Sequence, residues 1–155
     1  GIADLLAIGN SANNLLVGNV GDNLLDGGAG VDTLTGGDGA DQFVVAYNGT
    51  GSTPDQITDF TPGVDLLVID LASFGIKAGA LPLLDAGTVP ASSFVKGSGN
   101  SAKSTDADDY FVFNISTNTL SFDPDGTGPL AAMGVVKLIG SQPQSMTASD
   151  LFVAI

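Results

Sequence analysis

The stretch "GGAGVDTLTGGDGADQFVV", residues 27–45, decides the fold. A glycine pair, a third glycine, an aspartate and a large apolar residue occur in order, and the order returns nine residues later. Upstream the same beat is weaker but in register: Gly9-NSANNLLV and Gly18-NVGDNLLD precede Gly27-GAGVDTLT and Gly36-GDGADQFV. Position six of the four units is Asn14, Asn23, Asp32 and Asp41, and position eight is Leu16, Leu25, Leu34 and Phe43. A fixed short period of this kind specifies a repeat architecture in which each unit packs only on its neighbours.

Glycine tolerates positive φ, so glycines at positions one, two and four permit a tight turn. The last three positions, as in "TLT" 33–35 and "QFV" 42–44, place one large apolar side chain between smaller or polar ones, a minimal strand with one inward residue. Two units then make one coil of a flattened spiral, and loops on one edge recur every eighteen residues. Loop 9–14 stacks on 27–32, and loop 18–23 on 36–41. Carbonyl oxygens and two position-six side chains lie between stacked loops. Such an all-oxygen cage suits a hard cation of high and flexible coordination number, calcium above others.

The composition agrees. The chain has 155 residues, 43% of them hydrophobic, enough for one domain with a core. All of its 17 acidic residues are Asp, a residue of turns and metal loops, and the net charge is −13. The cations are Lys77, Lys96, Lys103 and Lys137. That balance disfavours nucleic acid and anionic membranes and attracts divalent cations. There is no Cys, His, Glu or Arg. Thiol chemistry, serine and cysteine triads, HExxH zinc sites, glutamate acid–base pairs and arginine clamps are therefore excluded, and this region reads as non-catalytic. No apolar run approaches the ~20 residues of a membrane helix. Gly1 reads as a processing boundary, beyond which any upstream domain is hidden.

The four units resemble the repeats-in-toxin (RTX) calcium-binding nonapeptide, G-G-x-G-x-D-x-U-x, with U a large apolar residue. Gly27, Gly28, Gly30, Asp32 and Leu34, then Gly36, Gly37, Gly39, Asp41 and Phe43, match it fully. The first two units depart: Asn10 and Asn19 replace the second glycine, Ala12 replaces the third, and Asn14 and Asn23 replace aspartate. The resemblance implies an all-β fold, a parallel β-roll with Ca2+ between successive loops. Each cage then holds one carboxylate rather than two, which weakens it. Asparagine still offers a side-chain oxygen and tolerates left-handed backbone, so the loop geometry is expected to survive.

The roll is expected to end at Val45. "DQITDFTPGVDLLVIDLASFG" 55–75 reads as two strands around Pro62-Gly63, with Ile57, Phe60, Leu66, Val68 and Leu71 as the apolar set. It is similar to the stretch that follows the roll in serralysin-like proteases, and that similarity makes Asp55, Asp59 and Asp65 candidates for a further calcium. Residues 46–144 are expected to form a capping, β-sandwich-like strand region. In it, Asp106, Asp108 and Asp109 read as acids of a solvated polar loop, with metal binding as the lesser alternative. "YFVFN" 110–114 and "NTLSFD" 118–123 form a hairpin, "AMGVVKLIG" 132–140 is a strand, and Asp123 and Asp125 of "DPDGTG" are turn formers. The EF-hand reading of that turn fails for want of a Glu at position twelve and flanking helices.

The tail "SMTASDLFVAI" 145–155 looks like the uncleaved carboxy-terminal signal of RTX proteins that leave the cell through a type I exporter. The resemblance thus implies a secreted, calcium-dependent folding and export module, the carboxy-terminal RTX domain (1–155) of a larger protein. The alternative is a calcium-stabilised carbohydrate-binding or adhesive module, with Tyr47, Tyr110 and Phe111 stacking on sugar rings.

Overall fold

The computed structural model describes residues 3–47, 53–77, 86–99, 107–126, 132–140 and 143–155. Asp106 lies outside them. Among the described residues the protein is all-β. Short strands alternate between two sheets. β1 (Leu6–Asn10), β3 (Leu24–Gly28) and β5 (Gln42–Val45) stack in one; β2 (Leu15–Val17) and β4 (Thr33–Thr35) stack in the other. Both stacks are parallel, and partners lie eighteen residues apart, as in Leu25↔Phe43 and Leu16↔Leu34. Two nonapeptides per coil is thus the observed winding. Period-two alternation sends position eight inward, and Leu25, Leu34 and Phe43 are fully buried between the sheets. Each such side chain contributes about 1.5–3 kcal/mol by leaving water.

The roll does not stop at Val45. β6 (Asp55–Ile57) adds in parallel to β4, and β7 (Leu66–Asp70) adds in parallel to β5. These two strands make a third coil, and they belong to opposite sheets rather than to a hairpin. The coil escapes the nine-residue count because its spacing to the previous coil is 23 residues on one edge and 24 on the other. Its inward residues are Ile57 on one side and Leu67, Ile69 and Leu71 on the other. The apolar run "LLVI" offers two alternations. The outward set is Leu66 and Val68, because the parallel register Phe43↔Leu67 fixes which members face the core.

Beyond this coil the sheets continue with different partners. The first takes β13 (Leu151–Ala154), parallel to β7, and then β8 (Gly87–Thr88). The second takes β12 (Met133–Leu138), parallel to β6. The antiparallel β11 (Thr119–Phe122) and β10 (Phe111–Asn114) follow, and β9 (Phe94–Gly97) closes the edge. The hairpin β10–β11 forms as its sequence demands, with Asn118 at φ 53° supplying the left-handed residue of the turn. Phe122 packs against Phe111 and Phe74, each with ring centroids 5.3 Å apart. This region carries the larger core, and the roll stands on it through β6, β7, β12 and β13.

Candidate metal centre

The roll's edges are built from two hydrogen-bond ladders in opposite directions. Position-six side chains accept from the coil before them. Asp32 Oδ1 takes the Asn14 N–H at 2.7 Å, Asp41 Oδ1 takes the Asn23 N–H at 2.8 Å, and Asn23 Oδ1 takes the Leu5 N–H at 3.2 Å. The third coil continues them, since Asp55 Oδ1 accepts from the Asp32 N–H at 2.9 Å and Asp65 Oδ1 from the Asp41 N–H at 3.0 Å. Asp55 and Asp65 are therefore position-six residues of a coil whose loops have changed length. Position-five side chains run the other way. Asp4, Asn13 and Asp22 accept the N–H groups of Asp22, Val31 and Ala40 of the following coil, at 2.8–3.1 Å. Sequence reasoning passed over these three. The legible signal was an Asp or Asn one place before position six in the early units.

The glycines make room for oxygen. At Gly28, Gly30, Gly37 and Gly39 φ lies between 82° and 120°, and a Cβ would overlap the carbonyls of Asn10, Ala12, Asn19 and Gly21 of the coil above. At Gly27 and Gly36 φ is ordinary, but a Cβ would overlap Oδ2 of Asp32 and of Asp41. Asn10 and Asn19 reach the turn by another route than the left-handed backbone expected for them. Their φ is not positive; instead their Oδ1 atoms accept the Ala12 and Gly21 N–H groups at 2.8 and 2.7 Å, a side-chain-closed turn.

Two atoms define the chemistry. Asp32 and Asp41 are 0% and 1% exposed, and Oδ2 of each is buried with no hydrogen-bond donor. These oxygens face the position-one glycines of their own loops, while the carbonyls of Asn10, Ala12, Asn19 and Gly21 turn toward the glycines of the coil below. A buried carboxylate oxygen with no donor is costly unless a cation meets it. Burial raises the carboxyl of Asp32, the Asn14 N–H pulls it back, and Asp26 pushes it up further. Burial also raises Asp55, to about 6, opposed by the Asp32 N–H and aided by the charges of Asp32 and Asp26. Asp65 is raised by burial against hydrogen bonds from the Asp41 and Thr61 N–H groups, with Asp41 and Asp59 adding repulsion. Among the described residues no three carboxylates converge on one point. A cation here would be held by backbone carbonyls with one or two carboxylates.

The remaining candidates sort by position. Asp59 spends one oxygen on the Gly36 N–H at 2.9 Å and the other on the Gly37 N–H at 2.8 Å, a clamp on the start of loop 36–41. Asn14 turns Oδ1 back to the Asn10 N–H of its own loop at 2.7 Å. Asp123 accepts the Asp125 N–H at 3.3 Å, as a turn former does. A cavity of about 460 Å³ opens at the last coil beside Asp41, Asp65, Ser149 and Asp150. Asp150 takes the Gly63 N–H at 2.8 Å and the Thr147 N–H at 2.7 Å. Tyr110 and Phe111 are buried, and Tyr47 stacks on Phe74 at 5.4 Å, so these rings are packing residues.

A flattened parallel β-roll with oxygen-lined loops on both edges defines a cation-binding repeat protein. The family model of the RTX calcium-binding nonapeptide repeat matches residues 8–43 in four copies, so those residues are repeats of the RTX type and the cofactor is calcium. The AlgE6R3 subunit from the Azotobacter vinelandii mannuronan C5-epimerase, known from a solution structure, is similar at 22% identity with a TM-score of 0.48. The similarity covers 96% of this chain and 77% of that one. No curated protein matches the chain.

Proposed function

We propose that the protein is a calcium-triggered folding module. Calcium enters the cages beneath Asp32 and Asp41, with Asp55 and Asp65 of the third coil facing them from below. The observation that carries this reading is the pair of buried, donor-less Oδ2 atoms. Without a cation they oppose folding in a chain of net charge −13 whose glycine-rich loops already lose much backbone entropy. With calcium, binding free energy becomes folding free energy. In a calcium-poor cytosol the roll stays open, and in calcium-rich surroundings outside the cell it closes. This is the behaviour required of a module that leaves through a type I exporter and orders an upstream passenger; the repeats and the tail resemblance support that setting.

The test is circular dichroism during calcium titration against a chelator, with magnesium as control. A cooperative gain of β signal with calcium alone is expected. A signal indifferent to the chelator would show that the β8–β13 region carries the fold by itself, and the trigger would be lost.

Deleting residues 145–155 does not test export cleanly, because the deletion also removes a core strand. β13 lies inside its sheet between β7 and β8, and Leu151 and Val153 are fully buried.

A further inference from the structure

The cages between stacked loops are not alike. Asn23 is 2% exposed, and its Nδ2 sits among four oxygens: Gly21 O at 2.5 Å, Asp41 Oδ1 at 2.7 Å, and Asn19 O and Gly36 O each at 3.4 Å. Those are carbonyls of positions two and four of the upper loop, the position-one carbonyl of the lower loop, and its position-six carboxylate. They are the oxygens from which a cage between loops 18–23 and 36–41 is made. The two amide protons have two short partners, so the donor capacity of the group matches the site.

The orientation of the amide is dictated from both sides. Its Oδ1 accepts the Leu5 N–H at 3.2 Å. Turned over, Nδ2 would face that N–H donor and Oδ1 would face three carbonyls and a carboxylate, with no donor or cation between them. We infer that the Asn23 carboxamide stands in for the cation in this cage, so that the 18–23/36–41 pair closes without calcium and is a fixed clamp within a calcium-responsive roll. Asp32 and Asp41 hold the same place in their own loops with an oxygen where Asn23 has an NH2 group. The single change of atom makes those cages demand a cation and makes this one refuse it. The sequence reading counted this loop pair as a weakened calcium site; its donor set does not fit one.

The calcium assignment of the other cages rests on the proposed function, whereas the inference about Asn23 does not. The test therefore has two arms on the full chain. In the wild type, with and without added calcium, the Asn23 side-chain amide protons are followed by NMR, with the exposed Asn13 side chain as reference. Slow exchange at Asn23 relative to Asn13 is expected; exchange as fast as at Asn13 overturns the clamp. In the second arm, equilibrium dialysis with calcium compares the wild type with Asn23→Asp and Asn23→Ala. Asn23→Asp is expected to bind one more calcium per chain, because Oδ2 replaces the amide donor, and Asn23→Ala the wild-type number. Loss of one calcium in Asn23→Ala would make Asn23 a ligand in the wild type and overturn the inference. A wild type that binds no calcium would instead remove the proposed function, while the NMR arm would still decide the clamp.

Discussion

At the scale of the residue, one atom on a conserved geometry decides whether a loop pair wants a cation. Asn23 and Asp41 present the same shape to the cage below them, yet the first donates and the second cannot. Glycine acts as finely. Gly37 has φ 105°, and a Cβ there would overlap the Asn19 carbonyl, so strain and collision act together. Gly37→Ala is expected to cost on the order of 1–3 kcal/mol in calcium, read from the shift of a denaturant midpoint. An alanine as stable as the wild type would mean that the loop relaxes away from its neighbour. The glycines at positions one, two and four were legible in the sequence as turn residues. That position one is small to admit a carboxylate was not legible, because it depends on where the Asp side chain of the same loop points.

At the scale of the element, the short strands of the roll followed from their pattern, and "TLT" and "QFV" lie where the beat puts them. The element that changed meaning is the tail. "LFVA" 151–154 is an interior strand, paired with β7 on one side and β8 on the other, and the Asp150 carboxylate ties its entry to Gly63 and Thr147. Leu151 is fully buried, whereas Phe152 points outward and is 36% exposed. Leu151→Ala is expected to destabilise the calcium-loaded protein by about 2–5 kcal/mol, and Phe152→Ser by less than about 1 kcal/mol, in thermal or denaturant unfolding. If export of a fused passenger fails in Phe152→Ser while its stability holds, the tail is read by an exporter in addition to its structural role. If export fails only with Leu151→Ala, the tail acts through folding alone.

At the scale of the whole molecule, buried carboxyls tie the fold to pH. Asp32, Asp55 and Asp65 all have their carboxyls raised in the fold, Asp55 to about 6 from an ordinary 3.8, and burial is the first cause in each. The folded, calcium-free protein therefore holds protons that the unfolded chain has lost. Its stability increases as pH falls from about 6 toward 4, and that part is lost as pH rises through about 6. Calcium competes with those protons, so calcium affinity falls over the same window. Thermal unfolding in chelator from pH 4 to pH 7.5 is expected to show the midpoint falling as pH rises. A midpoint that rises instead would place these carboxyls outside the folding unit.

The sequence by itself determined the coil: nine residues per half-turn, eighteen per stacked pair, one inward apolar residue per strand, and calcium as the ion suited to the loops. These follow from local rules of glycine conformation, side-chain alternation and oxygen chemistry, and the period repeats them in plain view. Only the tertiary structure decided that the roll runs on through Asp55 and Asp65, because a 23- or 24-residue step hides a coil from any nine-residue count. It also decided that the tail is a buried strand and that Asn23 fills one cage with its own amide. Each of those depends on which groups from distant parts of the chain face one another across the stack, and the direction of a hydrogen bond is set by both of its partners.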